Sequence, residues 1–198
     1  MIEIWKHYPE LNACRNEIEA AVERMVEVYR RGNKILLCGN GGSAADCEHI
    51  AGELLKGFLS KRTVTDPAVP AELREQLQGS LPAIPLPSIS AALTATLNDT
   101  DPALVYAQLL YGLGKEGDLL IALSTSGNAE NVFRAAELAR TMGMSVLGMT
   151  GEGGGRLATV ADLCIRVPAT ETYRIQEYHL PVYHYLCARV EEALFGDE

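Results

Sequence analysis

LLCGNGGSAADCEHIAGEL, Leu36 to Leu54, runs from a short apolar stretch through a glycine-rich turn into a polar, alanine-rich segment. The apolar run KILLCGN is continuous rather than alternating and ends in glycine, which predicts a strand buried on both faces. Residues 43–56 predict a helix. Strand, tight turn and helix together make the opening unit of a parallel sheet, and the rest of the chain repeats that unit. Strands are expected at LPAIPL (81–86), DLLIALS (118–124), MSVLGMT (144–150) and DLCIRVP (162–168). Helices are expected from about Ser88, over 103–113, over 129–142, briefly before the last strand, and from Tyr173 to Leu194. Ahead of the quoted stretch, apolar residues recur at helical spacing from Glu10 to Arg31, making residues 1–32 an N-terminal helix stopped at Gly32-Asn33. Residues 60–80, rich in Pro, Thr and charge, read as a loop excursion, and LNDTDP (97–102) as another loop. The expected fold class is α/β, a doubly wound five-stranded parallel sheet flanked by helices, within one domain spanning 1–198.

Such sheets bind ligands beyond the carboxyl ends of their strands. Two sequences fall there, CGNGGS (38–43) and LSTSGN (123–128), each an apolar strand running into small polar residues and then a helix. A helix start leaves free N–H donors and partial positive charge, and Ser124, Thr125 and Ser126 add hydroxyls, so a phosphate suits this loop. Ordinary turns and helix caps use the same residues. Gly39-Asn40-Gly41-Gly42-Ser43-Ala44 also fits the loose dinucleotide fingerprint, but the second strand ends in PLPSIS, with no acid for a ribose, and no GK[ST] P-loop is present.

Composition narrows the partners. The chain has 26 acidic and 17 basic residues, a net charge of −9, and no basic stripe with interleaved aromatics, which argues against direct nucleic-acid binding. Any anion site must therefore be built locally from amides and hydroxyls. Five cysteines form no CxxC pair and lie mostly in apolar runs, as reduced thiols do, so a cytoplasmic setting is expected. The amino terminus has no secretory pattern and no apolar run is long enough to span a bilayer, so no membrane association is expected.

CGNGGSAADCEH followed by AGEL, then LTATLNDTD, STSGN, GMTGEGGGRLATVADLCIRVP and RIQEYHLPVYHY, in that order, resemble the SIS (sugar isomerase) domain family and, within it, the phosphoheptose isomerases. The resemblance covers nearly the whole chain. It implies a flavodoxin-like three-layer sandwich, conversion of sedoheptulose 7-phosphate to D-glycero-D-manno-heptose 7-phosphate through an enediol, and a homotetramer with sites at subunit interfaces that commonly hold zinc. Carried over by motif, the substrate contacts are Asn40, Gly41, Gly42 and Ser43 in the first turn, Asn98 and Asp99, then Ser124, Thr125, Ser126 and Asn128, and Gln176. The metal positions are His49, Glu53, Gln176 and His184, with Glu53 and His184 also catalytic. Ala129 stands where a serine helps hold phosphate, Tyr173 replaces an acid, Lys56 lies near a missing arginine, and residues 61–80 are longer than usual. These departures surround the substrate and leave other phosphosugars, such as a pentose phosphate, open. The fold also serves a non-catalytic regulator that binds a replication initiator; it tends to lack the glutamate and the second histidine, both present here.

His49 and Glu53 are four residues apart, so a helix places them on one face within reach of one point. The same spacing is common by chance. Gln176 and His184 are harder to unite, because eight helical residues span about 12 Å along the axis. A kink at Pro181, a late helix start, or use in sites shared between subunits would each resolve this. His179, three residues from Gln176, reads as a packing or interface residue, and His7 as a surface one. Trp5, Tyr178, Tyr183 and Tyr185 fit either an interface or the core.

Overall fold

The computed structural model describes residues 2–196; of the span 1–198 read as one domain, Met1, Asp197 and Glu198 lie outside the described residues. In chain order the elements are α1 (Ile4–His7), a 3-10 segment Pro9–Cys14, α2 (Arg15–Arg30), β1 (Ile35–Cys38), α3 (Gly42–Leu55), α4 (Ala71–Arg74), β2 (Ala83–Pro85), α5 (Ser90–Asp99), α6 (Val105–Leu113), β3 (Leu119–Leu123), α7 (Glu130–Thr141), β4 (Ser145–Gly151), α8 (Leu157–Val160), β5 (Leu163–Val167) and α9 (Thr172–Phe195). The strands form one parallel sheet in the order β2-β1-β3-β4-β5, the doubly wound arrangement expected from the sequence.

Strands β1 and β3 are buried at every position, which is why their sequences are continuous apolar runs. Alternate residues serve two separate cores. Ile35, Leu37, Leu119 and Ile121 join Ile18, Met25, Ile50, Leu54, Val182 and Leu186 from α2, α3 and α9 on one face. Leu36, Cys38, Leu120 and Ala122 join Tyr106, Leu110, Val132 and Ala136 from α6 and α7 on the other. The chain leaves β1 outward to β2 and returns to β3 on β1's other side, so strand order switches between β1 and β3, where a crevice opens at the carboxyl ends. Both motif loops meet there.

Three local expectations are corrected. The N-terminal helix does not run unbroken from Glu10: Pro9 leads a 3-10 segment, Asn12 Nδ2 bonds the Pro9 carbonyl at 2.9 Å, and the buried pair Leu11 and Cys14 follows the three-residue turn. The excursion 60–80 contains helix α4 and buries Arg62. LNDTDP is not all loop; α5 runs through Asn98 and Asp99. Its threonine hydroxyls bond back to carbonyls four residues earlier, Thr96 to Ala92 at 2.8 Å and Thr100 to Thr96 at 2.9 Å, so these polar side chains are satisfied within the helix rather than by an alternative turn. The last helix, expected from Tyr173 to Leu194, is α9, which continues through Pro181 with Ile175 and His179 before it and Val182 and Leu186 after it all buried. Gln176 is therefore inside the helix, not ahead of it.

The five cysteines are unpaired. No helix among the described residues is long and apolar enough to cross a membrane. Tyr183 and Tyr185 are core residues, with Trp5 and Tyr178 packed against the same core.

Candidate active site

The turn after β1 is fixed from three sides. Gly41 takes a left-handed backbone (φ 56°) at the start of α3, and the Ser43 N–H returns to the Asn40 carbonyl at 3.0 Å. The Tyr106 hydroxyl donates to the Gly39 carbonyl. Asn40 and Asn131 exchange amide hydrogen bonds of 2.8 and 3.0 Å, tying this turn to the first turn of α7. The Gln176 side-chain amide packs directly on Gly42, so a Cβ there would push that amide aside. Asn40, Gly41 and Gly42 are exposed. Ser43, expected as a substrate contact, is 3% exposed and packs under Gly39, so the structure does not bring its hydroxyl to the open side.

The second loop, Ser124 to Asn128, is braced by the loop after β4. Gly127 has φ 67°, and a Cβ would strike the Gly154 carbonyl. The Gly151 N–H donates to the Thr125 carbonyl at 2.9 Å, and the Leu157 N–H to the Gly127 carbonyl at 2.9 Å. Asn128 is consumed within this bracing, donating to the Ser126 carbonyl at 3.0 Å and accepting from the Arg156 N–H at 3.1 Å. The Ala129 N–H, left as that position's only donor, reaches Ser124 Oγ at 3.4 Å. By contrast, the Thr125 and Ser126 amides meet no acceptor among the described residues. The loop ahead of α7 thus offers free amides beside hydroxyls, the donors that an anion takes.

The third part lies between α3 and α9. Gly42 faces Gln176, Asp46 and His49 face Tyr183 and His184, and Arg62 links Leu54 to Glu191, so the two helices run side by side in one direction. His49 Nε2 lies 3.3 Å from Glu53 Oε1 and 3.4 Å from His184 Nε2. The other Glu53 oxygen meets no protein donor among the described residues. Burial and the neighbouring His49 push the His184 imidazole below its ordinary value, against the pull of Glu53. Burial pushes the Asp46 carboxyl up, opposed by the Tyr183 hydroxyl and His49. His179 is fully buried, with Nε2 3.4 Å from the Thr150 carbonyl, and burial lowers its pKa to about 4. It is a packing residue, as expected.

Two nitrogens bound to one tetrahedral zinc ion stand about 3.3 Å apart, and a carboxylate oxygen stands at a similar distance from either. The His49–Glu53 and His49–His184 separations match that spacing, and two imidazoles with a carboxylate are a zinc donor set. Among the described residues no three His, Cys, Asp or Glu side chains already close around a point; the three are donors at ligand spacing rather than a finished cage. Gln176, two turns away on α9, borders the first turn instead. Asn98 and Asp99, at the end of α5, are exposed and hydrogen-bond each other at 2.8 Å. Lys56 donates to the neighbouring Gly57 carbonyl at 3.0 Å, and Tyr173 is 64% exposed.

Sequence reasoning missed Tyr106, Asn131, Asp46 and the partnership of Arg62 with Glu191. Arg62 is 1% exposed and donates to Glu191 Oε1 at 2.8 Å, to the Leu54 carbonyl at 2.5 Å and to the Glu53 carbonyl at 2.9 Å. It thus caps the end of the helix that carries Glu53. Asn131 alone left a signal, as a second asparagine close behind STSGN.

Residues 8–151 match the SIS domain family. The phosphoheptose isomerase of Rhodospirillum rubrum is 42% identical over 184 residues, covering 93% of this chain and 89% of that protein. That of Aneurinibacillus thermoaerophilus is 42% identical over 181 residues, covering 91% and 83%. Among solved structures, a phosphoheptose isomerase from Francisella tularensis superposes with a TM-score of 0.80 at 32% identity, covering 96% of this chain and 92% of that one. With the parallel sheet, the two strand-end loops and these relatives together, the chain belongs to the SIS domain family, among the phosphoheptose isomerases, and is a phosphosugar isomerase.

Proposed function

We propose that the chain interconverts sedoheptulose 7-phosphate and D-glycero-D-manno-heptose 7-phosphate. The observation that carries this is the pairing of an anion cradle at Thr125 and Ser126 with a Glu53 carboxylate that keeps one oxygen unpartnered. The Thr125 and Ser126 amides and the hydroxyls of residues 124–126 hold the phosphate, and the Asn40–Gly42 turn, steadied by Asn131 and Tyr106, contacts the sugar. Glu53 takes the proton from the carbon beside the carbonyl and returns it to the neighbouring carbon, through an enediol. His184 exchanges a proton with the sugar oxygens. His49, Glu53 and His184 would hold a zinc ion, which when bound polarises the carbonyl as a Lewis acid.

A homotetramer is part of the same proposal. It is supported by apolar side chains left open on and beside α5 and α6, Leu97 at 39%, Leu104 at 43% and Tyr111 at 70% exposed. Asn98 and Asp99 sit on that side, so a neighbouring copy would bring them into a site. Clefts of about 740 and 530 Å³ lie away from the Ser124–Ser126 loop and the His49 cluster.

The purified chain should convert sedoheptulose 7-phosphate, followed by NMR of the sugar, faster than it converts a pentose phosphate, and chelation should slow it. Preference for the pentose would overturn the substrate. Absence of turnover with any phosphosugar, with a bound protein partner instead, would overturn the enzyme reading.

A further inference from the structure

We infer that Tyr183, together with Asp46, is a positioning residue that fixes which nitrogen of His49 carries the ring proton and so aims its lone pair into the catalytic cluster. Tyr183 is 1% exposed, yet its hydroxyl is not idle: the oxygen lies 2.9 Å from His49 Nδ1 and 3.2 Å from Asp46 Oδ1. The two rings meet edge-on, with centroids 5.3 Å apart and planes at 72°. One hydroxyl has one proton to give. A carboxylate only accepts, and Asp46 Oδ2 is buried with no partner at all among the described residues, which makes the Tyr183 hydroxyl this carboxylate's donor. The tyrosine proton therefore points to Asp46, the tyrosine oxygen is left as an acceptor, and the hydrogen between it and His49 must sit on Nδ1.

The consequence falls on the opposite nitrogen. With the proton on Nδ1, His49 Nε2 presents a lone pair toward Glu53 Oε1 at 3.3 Å and His184 Nε2 at 3.4 Å. That is the form a metal ligand requires, and a hydrogen bond to the far ring nitrogen is how proteins impose it. With the ring proton on Nε2 instead, the site would offer a hydrogen where the zinc ion needs an electron pair. The chain Asp46, Tyr183, His49 is thus a polarity device built across α3 and α9. This inference rests on placing His49 in the isomerase site, but its test does not depend on turnover.

Long-range proton–nitrogen NMR on the metal-free protein reports the His49 tautomer directly, and a chromophoric chelator competes for zinc to give affinity. Wild type should show the proton on Nδ1. Tyr183→Phe keeps the ring and packing while removing the hydroxyl; the tautomer should become mixed and zinc affinity fall about 10- to 100-fold. Asp46→Asn can offer its amide to the tyrosine oxygen, turning the tyrosine proton toward His49 Nδ1 and the ring proton onto Nε2. A purely structural role would move stability without this reversal. The inference is overturned if wild-type His49 carries its proton on Nε2, or if both variants keep the wild-type tautomer and a zinc affinity within twofold. A tautomer shift in a protein with no phosphosugar turnover would count against the isomerase assignment alone.

Discussion

Replacing Glu191 by alanine should be among the most destabilising single changes in this chain. Glu191 is 3% exposed and accepts four hydrogen bonds: from the amides of Phe58 and Leu59 at 2.8 Å, Ser60 at 3.1 Å, and Arg62 Nε at 2.8 Å. Removing it strands a buried guanidinium without a counter-charge and leaves three amides without an acceptor. Breaking a buried ion pair by deleting one partner costs about 3–5 kcal/mol, a large share of the ~5–15 kcal/mol of a typical domain. Urea unfolding followed by circular dichroism measures this as a lower midpoint at unchanged slope. The pH dependence supplies a second check. Burial raises the Glu191 pKa, but the Phe58 and Leu59 amides and Arg62 outweigh it and hold the carboxyl below its ordinary value. A group depressed in the folded state contributes its stability above its unfolded pKa of about 4.3 and loses it as pH falls through the folded value. The gap between wild type and Glu191→Gln should therefore be full at neutral pH and close below about pH 4. A loss under about 1 kcal/mol, the size of a surface pair, with no closing of the gap in acid, would refute the reasoning.

Two further changes act on the loops. Gly127→Ala forces a side chain into a left-handed backbone, at about 1–2 kcal/mol, and onto the Gly154 carbonyl; phosphate protection against thermal unfolding should disappear. Asn131→Ala removes both amide bonds to Asn40, each about 0.5–1.5 kcal/mol. It should lower kcat/KM for the phosphosugar about tenfold, with unfolding changed far less; an unchanged kcat/KM would show that Asn40 needs no tether.

The strands were legible because burial on both faces leaves continuous apolar runs, and glycine or proline punctuates them. Helix α2 was legible from its apolar periodicity, α3 as a polar, alanine-rich segment behind a strand, and the two loops from their position at strand ends. Contacts between elements were not. Arg62 in a polar run shows no period, and its partner Glu191 lies 129 residues away. Tyr183 reads as one more apolar residue beside a histidine until α3 places Asp46 and His49 against its hydroxyl. The end of α5 escaped for a local reason: Asn98, Asp99 and Thr100 are turn formers, yet the backbone ladder continues to the Thr100 N–H and the threonine hydroxyls turn back onto their own helix. Ser43 shows the converse, a residue that belongs to the motif yet is turned inward under Gly39.

The central claim is that Glu53 moves the proton while other groups hold the sugar phosphate. Glu53→Gln keeps the shape of the side chain, so calorimetric binding of sedoheptulose 7-phosphate should stay within about threefold while kcat falls about a hundred- to ten-thousand-fold. A variant that isomerises at the wild-type rate, or one that loses substrate binding as completely as turnover, would contradict it.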